Sequence, residues 1–147
     1  MLLDLTSEEL IRLKIDAKDW EDAIRQSAGA LLENGKITPS YIDAIVQTVR
    51  EVGPYIVLTK HVALPHARSE AGALESAIGI ATLKTPVVFG NKENDPVKYL
   101  FCLSAKDSES HINALAELTG LLEREDFYAF LDQVEDASEV IQYIKNL

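Results

Sequence analysis

Two nearly uninterrupted apolar segments constrain the fold of this chain most strongly. Residues 76–83 and 97–103 are apolar almost throughout, and the second segment is the most apolar stretch of the sequence. A strand with one face in water alternates apolar and polar side chains, whereas a strand covered on both faces does not. The two segments therefore predict central strands of a sheet that lies between two layers of helices.

Amphipathic helices are predicted before and after these strands. One begins at Asp19 and stops at Asn34–Gly35, and a second begins at Thr38–Pro39 and ends at Gly53. Residues 107–110 offer N-caps for a third helix, which Glu125–Asp126 would end. Two short helices are predicted after it, with Phe127 and Ser138 near their starts. The buried stripe predicted for the third helix consists of Ile112, Leu115, Leu118 and Leu122.

Two further strands complete the predicted sheet. Residues 11–15 alternate in the period of a half-buried strand, and residues 55–58 form a short buried one. A loop that carries His61 and His66 follows and continues to about Ala73.

This interleaving predicts an α/β fold, a three-layer sandwich whose central sheet has helices on both faces. A chain of 147 residues is long enough to fold as one domain, residues 1–147. A turn is expected at Thr85–Pro86, and residues 90–96 are expected to form an exposed connection.

The charge and cysteine content exclude several classes of function. With 24 acidic and 14 basic residues, the net charge is -10, which repels nucleic acid and anionic membranes and attracts a basic protein partner. Asp4 follows the first three residues and no apolar run reaches about 18 residues, so a cytoplasmic protein is expected. The single cysteine, Cys102, reads as a core residue and forms no internal disulfide. The three histidines lack metal-ligand spacing and no glycine-rich phosphate loop occurs, so no metal and no nucleotide cofactor are expected.

The segment 62–68, VALPHAR, is the first candidate for chemistry. Pro65 fixes its own φ and pushes Leu64 toward extended backbone, so the chain that leads to His66 has little freedom. Ala67 leaves space beyond the ring. A neutral imidazole is a nucleophile that needs no neighbouring base. The alternative is a surface Pro–His turn without chemistry.

Three other side chains are candidates, and each has an ordinary structural explanation. His111 lies in the first turn of the third helix, where free N–H groups favour anions; alternatively, it is a half-buried histidine at the edge of the core. Arg68 can hold a phosphoryl group bidentately, or it is a solvated loop arginine. Arg50 at a helix C-terminus is explained by the helix dipole alone. His61 is expected to be exposed and to have no role.

The motif and its flanks resemble a known family over nearly the whole chain. Residues 62–67 match the active-site signature of the enzyme IIA domains of the fructose and mannitol class, in the bacterial phosphoenolpyruvate-dependent sugar phosphotransferase system. The signature reads aliphatic, Ala, aliphatic, Pro, His and a small residue, and Ala67 stands where many members have glycine. The flanking GPYIV and the downstream TLKTPVVFGNKENDPVKYLFCLSAKDSESHI are most similar to the ascorbate-type branch.

The resemblance implies a mixed sheet flanked by helices and a phosphoryl relay. His66 would accept the group from the phosphohistidine of the carrier protein HPr and pass it to a cysteine of a cognate enzyme IIB. That enzyme serves a membrane enzyme IIC, and ascorbate or a related compound would be the substrate. His111 and Arg50 would stabilise the transferring group, and no metal or nucleotide would be required.

Two other functions use the same residues. A regulatory phosphoacceptor would signal to partner proteins instead of serving a permease; the sequence contains no regulatory or DNA-binding domain, which favours transport. A binding domain that has lost the chemistry is disfavoured, because His66, His111 and Arg50 are all present.

Overall fold

One five-stranded sheet organises the computed structural model, which describes residues 2–147. Its strand order is β1-β4-β5-β3-β2. The pairs β1–β4 and β3–β5 are parallel, and the pairs β4–β5 and β2–β3 are antiparallel, so the sheet is mixed as expected. The strands are β1 (Ile11–Ile15), β2 (Val57–Thr59), β3 (Val62–Ala63), β4 (Ala77–Val87) and β5 (Val97–Ser104).

Within residues 2–147, five α-helices cover the sheet on both faces, which confirms the predicted three layers. The first two helices pack on one face and the last three on the other. Short 3-10 turns occur at Leu2–Asp4, Glu8–Leu10 and Ser69–Ala71. The α-helices are α1 (Trp20–Glu33), α2 (Pro39–Val52), α3 (Ser108–Leu122), α4 (Glu125–Leu131) and α5 (Ala137–Lys145).

Strand β5 shows why the sequence contains such an apolar segment. Leu100 and Cys102 pack into the core formed with α1 and α2, whereas Phe101 and Leu103 pack into the core formed with α3, α4 and α5. Both sets of side chains are buried. The alternation along the strand therefore supplies two cores, and neither face is left for polar residues.

Three boundaries differ from the sequence prediction. The turn expected at Thr85–Pro86 is wrong, because β4 continues through both residues. The strand expected at residues 55–58 begins two residues later, at Val57, and the loop after it contains β3. Glu125–Asp126 does not break a helix: it forms the first turn of α4. Acidic residues are favourable there because they face the positive end of the helix dipole.

The inner face of α3 also differs from the predicted stripe. The buried residues are Ala114, Leu118 and Leu121, whereas Ile112 is 65% exposed. Only Leu118 of the predicted stripe is fully buried; Leu115 and Leu122 are partly buried against the same core. Within residues 2–147, none of the helices has the length and apolar content that a membrane crossing needs.

Candidate functional site

A cavity of about 650 Å³ lies where the segment after β3 passes between α2 and the start of α3. Ala44 and Thr48 of α2 form one wall, and Tyr55 lies beside them. The remaining lining consists of residues 66–71 of the loop, and of Asp107, Ser108, His111 and Ile112 at the beginning of α3. The cavity therefore brings together two of the predicted site residues, His66 and His111, and also Arg68.

The ring of His66 has its tautomer fixed by its own backbone. Its Nδ1 lies 2.6 Å from the carbonyl oxygen of Leu64, and a carbonyl oxygen accepts but does not donate. In the neutral ring, Nδ1 therefore carries the proton and Nε2 has the lone pair. The edge of the Tyr55 ring packs against the imidazole, with ring centroids 5.4 Å apart. The Tyr55 hydroxyl donates to the carbonyl oxygen of His66 at 2.5 Å.

Strand β5 and helix α2 hold the backbone on both sides of His66. The N–H of Leu103 in β5 donates to the carbonyl oxygen of Pro65 at 2.9 Å. The hydroxyl of Tyr41 in α2 donates to the Leu103 carbonyl at 2.8 Å and accepts the N–H of Ala67 at 3.1 Å. These bonds fix the positions before and after the histidine, so the imidazole belongs to a rigid part of the loop.

His111 faces His66 across the cavity, with ring centroids 5.6 Å apart. Burial lowers the pKa of His111, and the positive charge of a protonated His66 lowers it further. Both effects favour the neutral ring near pH 7. The sequence predicts that His111 faces inward. In the structure its ring is half-buried and faces the cavity rather than the core.

The start of α3 lies next to the same two rings. Asp107 is its N-cap, and its carboxylate accepts the N–H of Ser110 at 2.7 Å. Hydrogen bonds from Ser110 keep the pKa of Asp107 below its usual range. The N–H groups of the first helical turn have no partner within a helix, so the end of α3 that borders the cavity carries a partial positive charge.

Comparison with known proteins decides the family. Residues 4–147 match the family described as "Phosphoenolpyruvate-dependent sugar phosphotransferase system, EIIA 2". The chain belongs to this family. Enzyme IIA components transfer phosphoryl groups within that system, so the chain is a phosphotransferase system component. The α/β architecture and the enzyme class expected from the sequence are therefore both confirmed.

Relatives of this enzyme IIA domain carry two substrate names. The solution structure of the mannitol-specific cryptic phosphotransferase enzyme IIA CmtB from Escherichia coli is 38% identical, with a TM-score of 0.86 over 96% of this chain and 98% of that one. The ascorbate-specific EIIA component of Shigella boydii is 32% identical over 95% of this chain and 92% of its own. The Escherichia coli complex of the mannitol enzyme IIA with phosphorylated enzyme IIB contains a chain of 26% identity, with a TM-score of 0.82 over 97% of this chain and 98% of that one.

The structure does not bring Arg50 of this IIA domain to His66. Arg50 is not among the residues that line the cavity, and its guanidinium pairs with Glu21 of α1. Thr48 does line the cavity. Arg50 lies two positions further along α2, about 200° around the helix axis, so it projects from the other side.

The two residues expected to have no chemical role lie outside the cavity. His61 is exposed, and its Nδ1 is 2.7 Å from the carbonyl oxygen of Pro96. Cys102 is buried in the core, and burial raises the pKa of its thiol to about 12. Among residues 2–147, no group of three or more His, Cys, Asp or Glu side chains could hold a metal ion.

Sequence reasoning missed two tyrosines that hold the reactive segment. Tyr41 recurs with Ile45 and Val49 on the buried side of α2, and its hydroxyl is buried with it. A tyrosine at a core position signals a hydrogen-bond partner inside the protein, because its hydroxyl cannot be left unpaired there. Tyr55 carries no comparable signal, since its contact with His66 depends on how β2 and the loop fold back on each other.

Proposed function

We propose that Nε2 of His66 accepts a phosphoryl group from phospho-HPr and passes it to a cysteine of a cognate enzyme IIB. One observation carries the proposal: the bond from Nδ1 to the Leu64 carbonyl selects the tautomer in which the neutral ring has its lone pair on Nε2, and this ring lines an open cavity. The family membership supplies the reaction class.

Both half-reactions exchange one bond to phosphorus for another. In the first, the lone pair of His66 Nε2 attacks phosphorus, and the N–P bond of the carrier histidine breaks with its electron pair returning to that histidine. In the second, the thiolate of enzyme IIB attacks, an S–P bond forms, and the N–P bond of His66 breaks. The transferring group spreads its negative charge over its equatorial oxygens, so catalysis consists mainly of positioning and charge stabilisation.

Groups around the cavity support such stabilisation. His111 presents its ring 5.6 Å from that of His66, and the first turn of α3, the positive end of the helix dipole, borders the same cavity through Ser108 and His111. The rigid loop supports in-line approach by two partners in turn, because His66 keeps one orientation when no partner is bound. A binding domain that has lost the chemistry would not need a fixed His66 ring with His111 facing it across a cavity, so this alternative is disfavoured.

The partner and substrate assignments rest on relatives. The solved complex of the mannitol enzymes contains an enzyme IIA and a phosphorylated enzyme IIB, which supports an enzyme IIB as the acceptor here. The proposed substrate is ascorbate or a related compound, bound by a membrane enzyme IIC with which this chain has no direct contact. The proposed location is the cytoplasm, where HPr and enzyme I act.

Phosphorylation by purified components tests the relay. The protein is incubated with enzyme I, HPr and labelled phosphoenolpyruvate, and the site is identified by NMR of the phosphoprotein. We expect acid-labile label on Nε2 of His66 and none on His66→Ala. His61→Asn is the matched control, because it removes an exposed histidine and asparagine tolerates the positive φ of 69° at that position.

A wild-type protein that takes up no label would refute the proposal, as would a His66→Ala variant labelled like wild type. The phosphoprotein is then offered to ascorbate-type and mannitol-type enzyme IIB proteins. Preferential transfer to the ascorbate-type cysteine supports the proposed substrate branch, and transfer to the mannitol-type cysteine overturns it. Stable labelling with transfer to neither protein favours the regulatory role.

A further inference from the structure

Tyr55 contacts both the backbone and the ring of His66. Its hydroxyl donates to the carbonyl oxygen of His66 at 2.5 Å. Its ring centroid lies 5.4 Å from that of the imidazole, with an angle of 74° between the two planes. The torsion about the Cβ–Cγ bond of a histidine is broad, so the single bond from Nδ1 to the Leu64 carbonyl leaves the ring plane able to tilt. The Tyr55 ring restricts that tilt.

The segment that carries Tyr55 is itself held in place. It turns at Gly53, the C-cap of α2, whose φ of 94° lies in the left-handed region that favours glycine. The N–H of Tyr55 donates to the Gly53 carbonyl at 2.8 Å, and the carbonyl of the buried Ile56 accepts the N–H of Leu64 at 2.8 Å. Residues 55–56 therefore lie along residues 64–66 and bond to them at both ends.

The properties of the Tyr55 hydroxyl fit a supporting role rather than proton transfer. Burial, with a smaller contribution from the neighbouring Tyr41, raises the pKa of Tyr55 to about 12. The hydroxyl therefore stays protonated near pH 7 and remains a hydrogen-bond donor. Both half-reactions of the relay exchange one bond to phosphorus for another, so neither needs a proton from a tyrosine.

We propose that Tyr55 is a positioning residue of the relay, which keeps Nε2 of His66 directed into the cavity through its ring contact and its bond to the His66 carbonyl. The inference rests on the proposed function and concerns the direction of attack. Rotation of the imidazole by about 180° about the Cβ–Cγ bond exchanges Nε2 with Cε1, a carbon that has no lone pair. Misplacement of a reacting atom by about 1 Å can lower a rate by about a hundredfold.

Rapid-mixing measurement of transfer from phospho-HPr tests the proposal. Tyr55→Leu removes both contacts, so the first-order rate at saturating donor should fall by about tenfold to a hundredfold. The half-saturating concentration of phospho-HPr should stay near that of wild type. Tyr55→Phe keeps the ring and loses the hydroxyl, and its rate should lie between the two. A wild-type first-order rate in Tyr55→Leu refutes the proposal. A change confined to the half-saturating concentration also refutes it, because Tyr55 would then be a contact with the donor.

Tyr128→Phe is the matched control. Tyr128 is also half-buried, and its hydroxyl donates to the carbonyl oxygen of Leu122 at 2.5 Å, outside the cavity lining. The two Tyr→Phe variants should lose similar stability in urea, but only Tyr55→Phe should transfer more slowly. Equal slowing in both would be a general effect of lost stability and would overturn the assignment. If circular dichroism shows that Tyr55→Leu does not fold, the rate of Tyr55→Phe decides.

Nitrogen-15 NMR of the unphosphorylated protein reports on the His66 ring itself. The neutral ring of wild type should carry its proton on Nδ1. Tyr55→Leu should show more of the other tautomer, because its imidazole is no longer held against the Leu64 carbonyl. An unchanged tautomer population in that variant contradicts the proposed support. The measurement uses no phosphoryl donor, so it tests Tyr55 independently. If wild-type protein takes up no phosphate on His66, it is the proposed relay that fails.

Discussion

At the scale of single residues, the pair His66 and His111 couples phosphorylation to proton binding. In the unphosphorylated protein, burial and the neighbouring imidazole lower the pKa of His111 below the ordinary value of 6.5 for a histidine. A phosphoryl dianion on His66 would reverse the electrostatic part of this effect, because it favours the imidazolium form of a ring whose centroid is 5.6 Å from that of His66. His111 would then contribute a positive charge only when the phosphoryl group is present.

An NMR titration of the ring signals checks this prediction. We expect the midpoint of His111 to lie below 6.5 in the unphosphorylated protein and to rise after phosphorylation. The signals of His61 serve as the internal control, because that ring lies outside the cavity. An unchanged His111 midpoint would mean that its ring does not sense the phosphoryl group and has the structural role of a half-buried histidine.

Tyr41 links the reactive loop to α2 through one buried hydroxyl. Tyr41→Phe would leave the N–H of Ala67 without its partner while keeping the aromatic ring in the core. An unpaired buried polar group costs about 1–3 kcal/mol, so urea unfolding should report a loss of that size. Tyr143→Phe, which removes an exposed hydroxyl bonded to Asp126, should change the free energy of unfolding by less than about 0.5 kcal/mol. Equal losses in the two variants would contradict the assigned importance of the Tyr41 hydroxyl.

At the scale of elements, α3 has a buried stripe and a first turn that belongs to the site. Leu118 is fully buried, and Ile112 is 65% exposed and lines the cavity. Leu118→Ala should therefore reduce the free energy of unfolding by about 2–5 kcal/mol. Ile112→Ala should change it by less than about 0.5 kcal/mol. Denaturant unfolding of the two variants gives the comparison, and a large loss for Ile112→Ala would restore the stripe expected from the sequence.

The same helix shows where sequence patterns are sufficient and where they are not. Apolar periodicity locates α3 and β5 because burial on a layer of the sandwich repeats along each element. The first turn of α3 is different, because it borders a cavity and Ile112 has no core beneath it. Apolar periodicity alone therefore assigns Ile112 to the buried stripe by mistake. Likewise, Pro86 reads as a turn signal, but it occupies an exposed, irregular part of β4 where the register with β5 shifts. Proline has no backbone N–H to donate to a neighbouring strand, and this is tolerated where the pairing is irregular.

The site likewise has a part that local sequence patterns predict and a part that depends on the packing of distant segments. The stiff Pro65–His66 segment is local, and its importance is visible in the sequence. The contact between His66 and His111 joins distant segments; the family resemblance indicated it, whereas periodicity alone placed His111 only near the core. The separation of Arg50 from the cavity depends on which side of α2 faces α1, where Glu21 provides a partner. The ion pair between Arg50 and Glu21 can be predicted only when the packing of α1 against α2 is known.

At the scale of the whole molecule, the net charge of -10 sets the long-range field that a partner meets. Charge of one sign over a surface attracts a partner of the opposite sign and accelerates association, and dissolved salt screens this effect. The reaction inside the cavity involves groups at close range and is screened much less. The rate of association and the rate of phosphoryl transfer within the complex should therefore respond differently to salt.

Stopped-flow measurement of transfer from phospho-HPr separates the two rates. We expect the second-order rate constant to fall several-fold as the salt concentration rises from about 0.05 M to about 0.5 M, because the Debye length shortens from more than about 10 Å to less than about 8 Å. The first-order rate at saturating donor should change little over the same range. A variant with two exposed carboxylates neutralised away from the cavity, Glu33→Gln with Glu135→Gln, should associate more slowly at low salt and like wild type at high salt. A second-order rate constant that is independent of salt would show that the acidic surface does not guide the donor, and that recognition depends on the residues around His66 alone.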